Sequence, residues 1–248
     1  MIPDDIRRQY PLEEEYTMLE SFAAFYQKRN IKIVIKNPSK GKRPLGENGI
    51  TYLARVSHKS KFLFSGFIDN ISNRNSAVLY LILRAHLETT AVLGYFVHNL
   101  KKLYNKELTY KDIDMLLYRL SLGSKHSDYR KERPSVPESV NVLTAIEACD
   151  KLLPSEWEEI TKDAKPFSKI YAELSEVCHP NSMGLFFGTV IIKRGQFLFS
   201  ERPSLGSREE FYNLIEKMIM ACGFYFIFYD KCIALLKNNE RMPTVRIG

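Results

Sequence analysis

The chain has 248 residues, a formal net charge of +7, and is 45% hydrophobic and 26% charged. These values exclude a largely disordered, collagen-like or fibrous protein. A chain of this length can bury a core without disulfides or a structural metal.

The opening Met-Ile-Pro-Asp-Asp-Ile-Arg-Arg has no apolar run, so no secretory leader is expected. Leu12 to Arg29 reads as an amphipathic helix, with Tyr16, Leu19, Phe22, Ala23 and Tyr26 on one face. Glu13, Glu14 and Glu15 favour its N-terminal end through the helix dipole. Ile31 to Lys36 alternates apolar and basic residues like a half-exposed strand. Ile50 to Val56 is its expected partner across a turn-rich basic loop.

Ser76 to Tyr104 is the strongest helix signal. Its apolar residues go nearly all the way round, which predicts a central, buried helix capped from Asn70, Ser72 or Asn73. Tyr110 to Leu120 is a short helix, and Ser121 to Pro137 reads as a loop. Val140 to Leu152 is helical, Ser155-Glu-Trp-Glu158 is a capping box, and Phe167 to His179 continues as helix until Pro180. Phe187 to Phe199 carries a hairpin signal around Lys193-Arg194-Gly195. Ser207-Arg-Glu-Glu210 is a second capping box, opening a helix to about Lys237. The most apolar run, Met218 to Tyr229, has twelve residues. That is short of the roughly 20 a membrane-spanning helix needs. A cytoplasmic protein without a membrane partner is the expectation.

The predicted architecture is mainly α: a helical bundle with one β-hairpin near 185–200 and a small β appendage near 31–56. One domain over 1–248 is expected, with residues 1–65 as a basic helix and β appendage and 66–248 as the helical core.

Cys149, Cys178, Cys222 and Cys232 form no C-x-x-C, and His58, His98 and His126 show no metal-ligand spacing. Free thiols, no metal and no cofactor are expected. Phosphate-loop, Rossmann, G-x-S-x-G and H-E-x-x-H fingerprints do not occur.

The charge is local. Residues 28–61 hold ten basic residues and one acid, Glu47, so the rest of the chain is slightly acidic. Such a surface attracts phosphate backbones. Lys32, Lys36, Lys40, Lys42, Arg43, Lys59 and Lys61 are therefore candidate nucleic-acid-binding residues. A solvated loop without a partner, an anionic lipid surface and an acidic protein are the alternatives.

Arg84, His86 and Glu88 stand within the apolar central helix. Arg84 and Glu88 are four apart and share a face, while His86 points away from them. A buried ion pair that fixes helix register and a histidine satisfied by packing are the plain alternatives to a functional role. On the helix ending at His179, Ser175 and His179 fall at about 40° and 80° from Tyr171, at roughly 100° per residue. The three line one margin of the buried stripe. His179 could serve there as general acid or base, or simply bond a terminal carbonyl.

Arg84-Ala-His-Leu-Glu88, followed by Tyr171-Ala-Glu-Leu-Ser-Glu-Val-Cys-His-Pro180, resembles a bacterial family of unknown function. Its members carry R-x-x-x-E early and Y-x-x-L-S-x-x-x-H-P late. That family is distantly similar to the HEPN helical superfamily. The resemblance spans roughly 70–236. It implies an up-and-down bundle, often dimeric, in conflict systems such as toxin–antitoxin or phage defence. It also implies RNA as a partner and, in active members, a metal-independent ribonuclease with R-x(4–6)-H on one helix. Here Ala172, Glu173 and Leu174 fill that arginine window. The catalytic version would therefore combine His179 with Arg84 from the neighbouring helix, beside Glu88, Tyr171 and Ser175.

Three readings follow. The first is a binding module for nucleic acid or a partner protein, and the second a metal-independent ribonuclease. The third is an interaction protein that dimerises through Phe224, Tyr225, Phe226, Phe228 and Tyr229.

Overall fold

A computed structural model of the chain describes residues 2–36, 43–152, 165–180, 184, 189–193, 196–199, 204–239 and 242–247. In chain order the described elements are α1 (Asp4–Gln9), α2 (Glu13–Lys28), β1 (Ile31–Ile35), α3 (Leu45–Ser72), α4 (Ser76–Tyr104), α5 (Tyr110–Leu122) and α6 (Ser127–Glu132). There follow α7 (Val142–Asp150), α8 (Pro166–Cys178), β2 (Thr189–Lys193), β3 (Gln196–Phe199), α9 (Arg208–Leu236) and β4 (Thr244–Ile247). The chain is mainly helical, with small antiparallel β pairs.

Helix α4 is the axis. Its start is capped by Asn75, whose Oδ1 accepts from the Val78 N–H. Helices α3, α7, α8 and α9 all pack against it. Its contacts with α9 ascend together along both chains, from Ser76–Ser204 through Thr90–Ala221 to Tyr104–Leu235, so the two run parallel. Gly94 permits the close approach. A Cβ there would lie 2.3 Å from Cys149 Sγ and 2.8 Å from the Phe228 ring. The Ser207–Glu210 capping box is formed at the start of α9.

Several expectations need correction. Ile50 to Val56 is not a strand but part of α3, where Leu53, Val56, Ser60, Phe64, Phe67 and Ile71 are buried at helical spacing. Strand β1 instead pairs antiparallel with β4, Val34 opposite Val245 and Ile35 opposite Thr244. Within the expected 121–137 loop, α6 forms one short helix on a cap from His126 Nδ1. The aromatic residues expected to offer a dimer face, Phe224 to Tyr229, are turned inward: Phe224, Tyr225 and Phe228 are at most 1% exposed. The hairpin over β2 and β3 forms as expected, and the Ser155–Glu158 capping box lies outside the described residues.

Helices α4 and α9 are each 29 residues long and apolar enough to cross a membrane by length and composition. The strictly apolar run Met218 to Tyr229 understates α9, because the flanking turns are apolar on the packed side. Half or more of each helix's most apolar window is buried inside this fold.

One polar group sits deep in this core. His86 Nε2 lies 2.8 Å from Tyr26 Oη and 2.9 Å from Ser60 Oγ, and those two oxygens are 2.6 Å apart. The triangle ties α2, α3 and α4 together, with Cys222 of α9 at 4.0 Å. Burial pushes the His86 imidazole down to about 3. The folded protein therefore keeps His86 neutral while the unfolded chain takes up a proton near pH 6.5. Stability is full above that pH and falls as the pH drops toward the folded value. Urea unfolding should show a loss of about 1.4 kcal/mol per pH unit below about pH 6. His86→Gln should flatten most of that slope. An unchanged slope would move the titration to another group, His98 above all, whose pKa burial also lowers.

Candidate functional site

Arg84 lies on the outward edge of α4, one turn before Glu88. Its Nε donates to Glu88 Oε1 at 3.2 Å and its Nη2 donates to Tyr171 Oη at 3.2 Å. The guanidinium carbon stands 5.3 Å from the centre of the Tyr171 ring. Burial alone would lower the Arg84 pKa, but the bonds to Tyr171 and Glu88 hold it above its usual value. Because Tyr171 Oη accepts from Arg84, its own proton is free to donate outward. The shared face of Arg84 and Glu88 is realised in the fold, and Tyr171, grouped with them only through the family resemblance, bonds Arg84 there.

Tyr171 is positioned by a cap in trans. Helix α8 has no side-chain cap of its own at Lys165. Asp150, the last residue of α7, accepts from the N–H groups of Phe167 and Ser168 at 2.9 and 3.2 Å and from Ser168 Oγ at 2.5 Å. Burial raises the Asp150 carboxyl, and these hydrogen bonds oppose the rise.

Around Arg84 the helices leave an open cleft of about 580 Å³. Its charged lining is Arg55 and Lys59 from α3, Arg84 and Glu88 from α4, and Lys125 from the α5–α6 connection. Four cations thus face one carboxylate. Its apolar floor includes Val56, Val92 and Val142, and the Tyr171 hydroxyl stands at its edge. The size is that of a ligand site. The arrangement can hold an anion by several cations at once, with Tyr171 as a neutral donor.

Arg55, Lys125 and the Cys178 thiol were not foreseen at this place. Cys178 is half-buried near Arg84; burial raises its thiol pKa and the guanidinium opposes the rise. Arg55 and Lys59 are four apart, so reading 45–72 as a helix would have placed both on one face. Nothing in the local sequence signals Lys125.

The expected site residues do not all meet. Ser175 Oγ is buried without a hydrogen-bond partner among the described residues. His179 is exposed and caps the C-terminus of α8: its N–H still bonds the Ser175 carbonyl at 3.0 Å, and the chain leaves the helix after it, at φ −82° and ψ 152°. Neither residue is part of the described cleft lining. Among the described residues, no hydrogen bond or ion pair joins His179 to Arg84.

The basic segment also divides. Among the described residues of the expected nucleic-acid set, Lys59 alone lines the cleft. Lys32 is exposed on β1, and Lys36 donates to Asn48 Oδ1 at 2.9 Å, near the start of α3. The Arg43 guanidinium covers the Tyr110 ring at 4.0 Å. Lys61 lies roughly 200° round α3 from Lys59. Lys40 and Lys42 are outside the described residues. Among the described residues no group of three or more His, Cys, Asp or Glu side chains could hold a metal ion.

No protein-family model, curated protein or solved structure matches this chain.

The cap in trans gives a direct check on what positions the site. Asp150→Ala should cost about 1 kcal/mol of stability, the usual scale of a lost N-cap. Urea denaturation measures it. An unchanged midpoint would mean that α8 is held by its apolar face alone.

Proposed function

We propose that the protein binds nucleic acid through its phosphates, along the exposed face of α3 and in the cleft beside it. The observation that carries this reading is the convergence of Arg55, Lys59, Arg84 and Lys125 on one opening where, among the described residues, Glu88 is the one carboxylate. Four cations held together repel one another, and a polyanion relieves that repulsion while releasing its own counterions. The Arg84–Glu88 pair does not block this. Both side chains are partly exposed, at 21% and 35%. A pair of that kind is worth only about 0.3–0.5 kcal/mol, so a phosphate can compete for the guanidinium.

The ribonuclease alternative would need His179 and Arg84 to act on the same phosphate. General acid–base catalysis requires the base within hydrogen-bond reach of the proton it moves. Binding makes no such demand, because it uses the cations where they stand.

Fluorescence anisotropy with labelled oligonucleotides tests the proposal. Affinity should fall with salt, with a log–log slope of about 2–3 for three to four phosphate contacts. Combining Arg55→Glu with Lys59→Glu should weaken binding about tenfold or more and make the slope shallower. An affinity that ignores this double reversal would remove the cleft from the interface. Cleavage of the bound RNA in EDTA, lost in His179→Ala, would replace simple binding by the ribonuclease reading.

A further inference from the structure

The exposed face of α3 carries more than charge. Phe62 is 71% exposed, an aromatic ring left in water although the helix has an ample buried face. It stands one turn beyond Lys59 and two turns beyond Arg55, so the three share one stripe. No acidic residue occurs between Glu47 and Asp69. Glu47 is itself buried. On α3 the ring thus follows two cations, Arg55 and Lys59, and the same stripe meets its first exposed acid two turns on, at Asp69.

It is also braced. The His58 ring lies 6.2 Å from Phe62 at an interplanar angle of 49°. His58 Nε2 is 2.9 Å from the Ile31 carbonyl oxygen, which tethers that imidazole to β1. One side of Phe62 is thus buttressed, and the remaining ring surface is open to solvent.

We infer that the polynucleotide held at this surface is single-stranded, with a base stacked on Phe62 while its phosphates lie against Lys59, Arg55 and the cleft. This rests on the nucleic-acid reading above and narrows it. The reason is geometric. In a duplex the base faces are buried in the helical stack, and only an unpaired base can offer its face to an aromatic side chain. A surface that bound duplex backbone alone would have no use for an exposed ring among its cations. A partner protein docking on Phe62 is the competing occupant. It would need an acidic rim around an apolar contact, and it would compete with nucleic acid rather than depend on it.

The test compares Phe62→Ala, Phe62→Trp and the Arg55→Glu, Lys59→Glu double variant with the wild type. Each is titrated into one labelled sequence as single-stranded RNA, as single-stranded DNA and as the matching duplexes. Phe62 makes little use of the core, so circular dichroism should be the same in all. The wild type should prefer single strands to duplex about tenfold or more. Phe62→Ala should lose that preference with duplex affinity unchanged, and Phe62→Trp should keep it. A loss seen only with RNA or only with DNA supports the stacking and identifies the strand. Single-strand binding by Phe62→Ala equal to wild type overturns the stacking. If the double variant is weakened in that same experiment, the phosphate-binding reading survives without it. If the wild type binds neither strands nor duplexes, the phosphate-binding reading itself fails and takes this inference with it.

Discussion

Helix α4 has neighbours on nearly every side, and much of the structure answers that constraint. With α3, α7, α8 and α9 packed round it, a polar side chain on α4 must find its partner within the protein or at an edge the neighbours leave open. His86 takes the first solution. It is fully buried and stays neutral; its Nε2 bonds Tyr26 and Ser60, while its Nδ1 has no hydrogen-bond partner among the described residues. Arg84 and Glu88 take the second. They stand where α3, α5, α7 and α8 fail to close, and Arg84 bonds both Glu88 and Tyr171 there. Two residues apart on one helix, Arg84 and His86 therefore have opposite chemical fates. The helical repeat alone separates them, by roughly 200°.

The cleft follows from the same packing. Helix α8 meets α4 through the Arg84–Tyr171 contact, while α3 passes on the other side with Arg55 and Lys59 outward. Helix α7 sets the position of α8 by capping its first turn through Asp150. Lys125 then arrives from a connection, not from a helix face. Charge collects in the opening because each contributing element turns its apolar stripe to the core. What remains for the rim is cationic, and Glu88 is committed to Arg84 on one oxygen.

Much of this was legible in the residues. Helices α2, α4, α5, α8 and α9 have long apolar periods or clear caps, and their boundaries fall within a few residues of expectation. Helix α3 was hidden. Gly46 and Gly49 near its start look like turn residues, and Ser57 and Ser60 interrupt the apolar run. Packing explains one of them: a Cβ on Gly49 would lie 2.6 Å from a Leu236 methyl. The pairing of β1 with β4 was not legible, because it joins segments some 200 residues apart with no local turn to set a register. In the candidate site, one helical wheel pairs Arg84 with Glu88, and the addition of Tyr171 comes only from the family resemblance. The helical repeat holds as far as His179, whose N–H still bonds the Ser175 carbonyl, and the helix ends there because the chain beyond turns extended.

The end of α8 bears on the chemistry. His179 stands there exposed, about 80° round from Tyr171 and outside the described cleft lining. With His179 outside the lining, what the cleft offers is positive charge, a neutral hydroxyl donor and an apolar floor. Cations and a hydroxyl donor of this kind hold an anion, and they stabilise charge that develops on it as well. Acid–base catalysis further requires a proton carrier within hydrogen-bond reach, and the described lining contains no histidine. The charge that can hold an anion thus comes from three separate elements, α3, α4 and the α5–α6 connection, and α8 adds the Tyr171 hydroxyl to it.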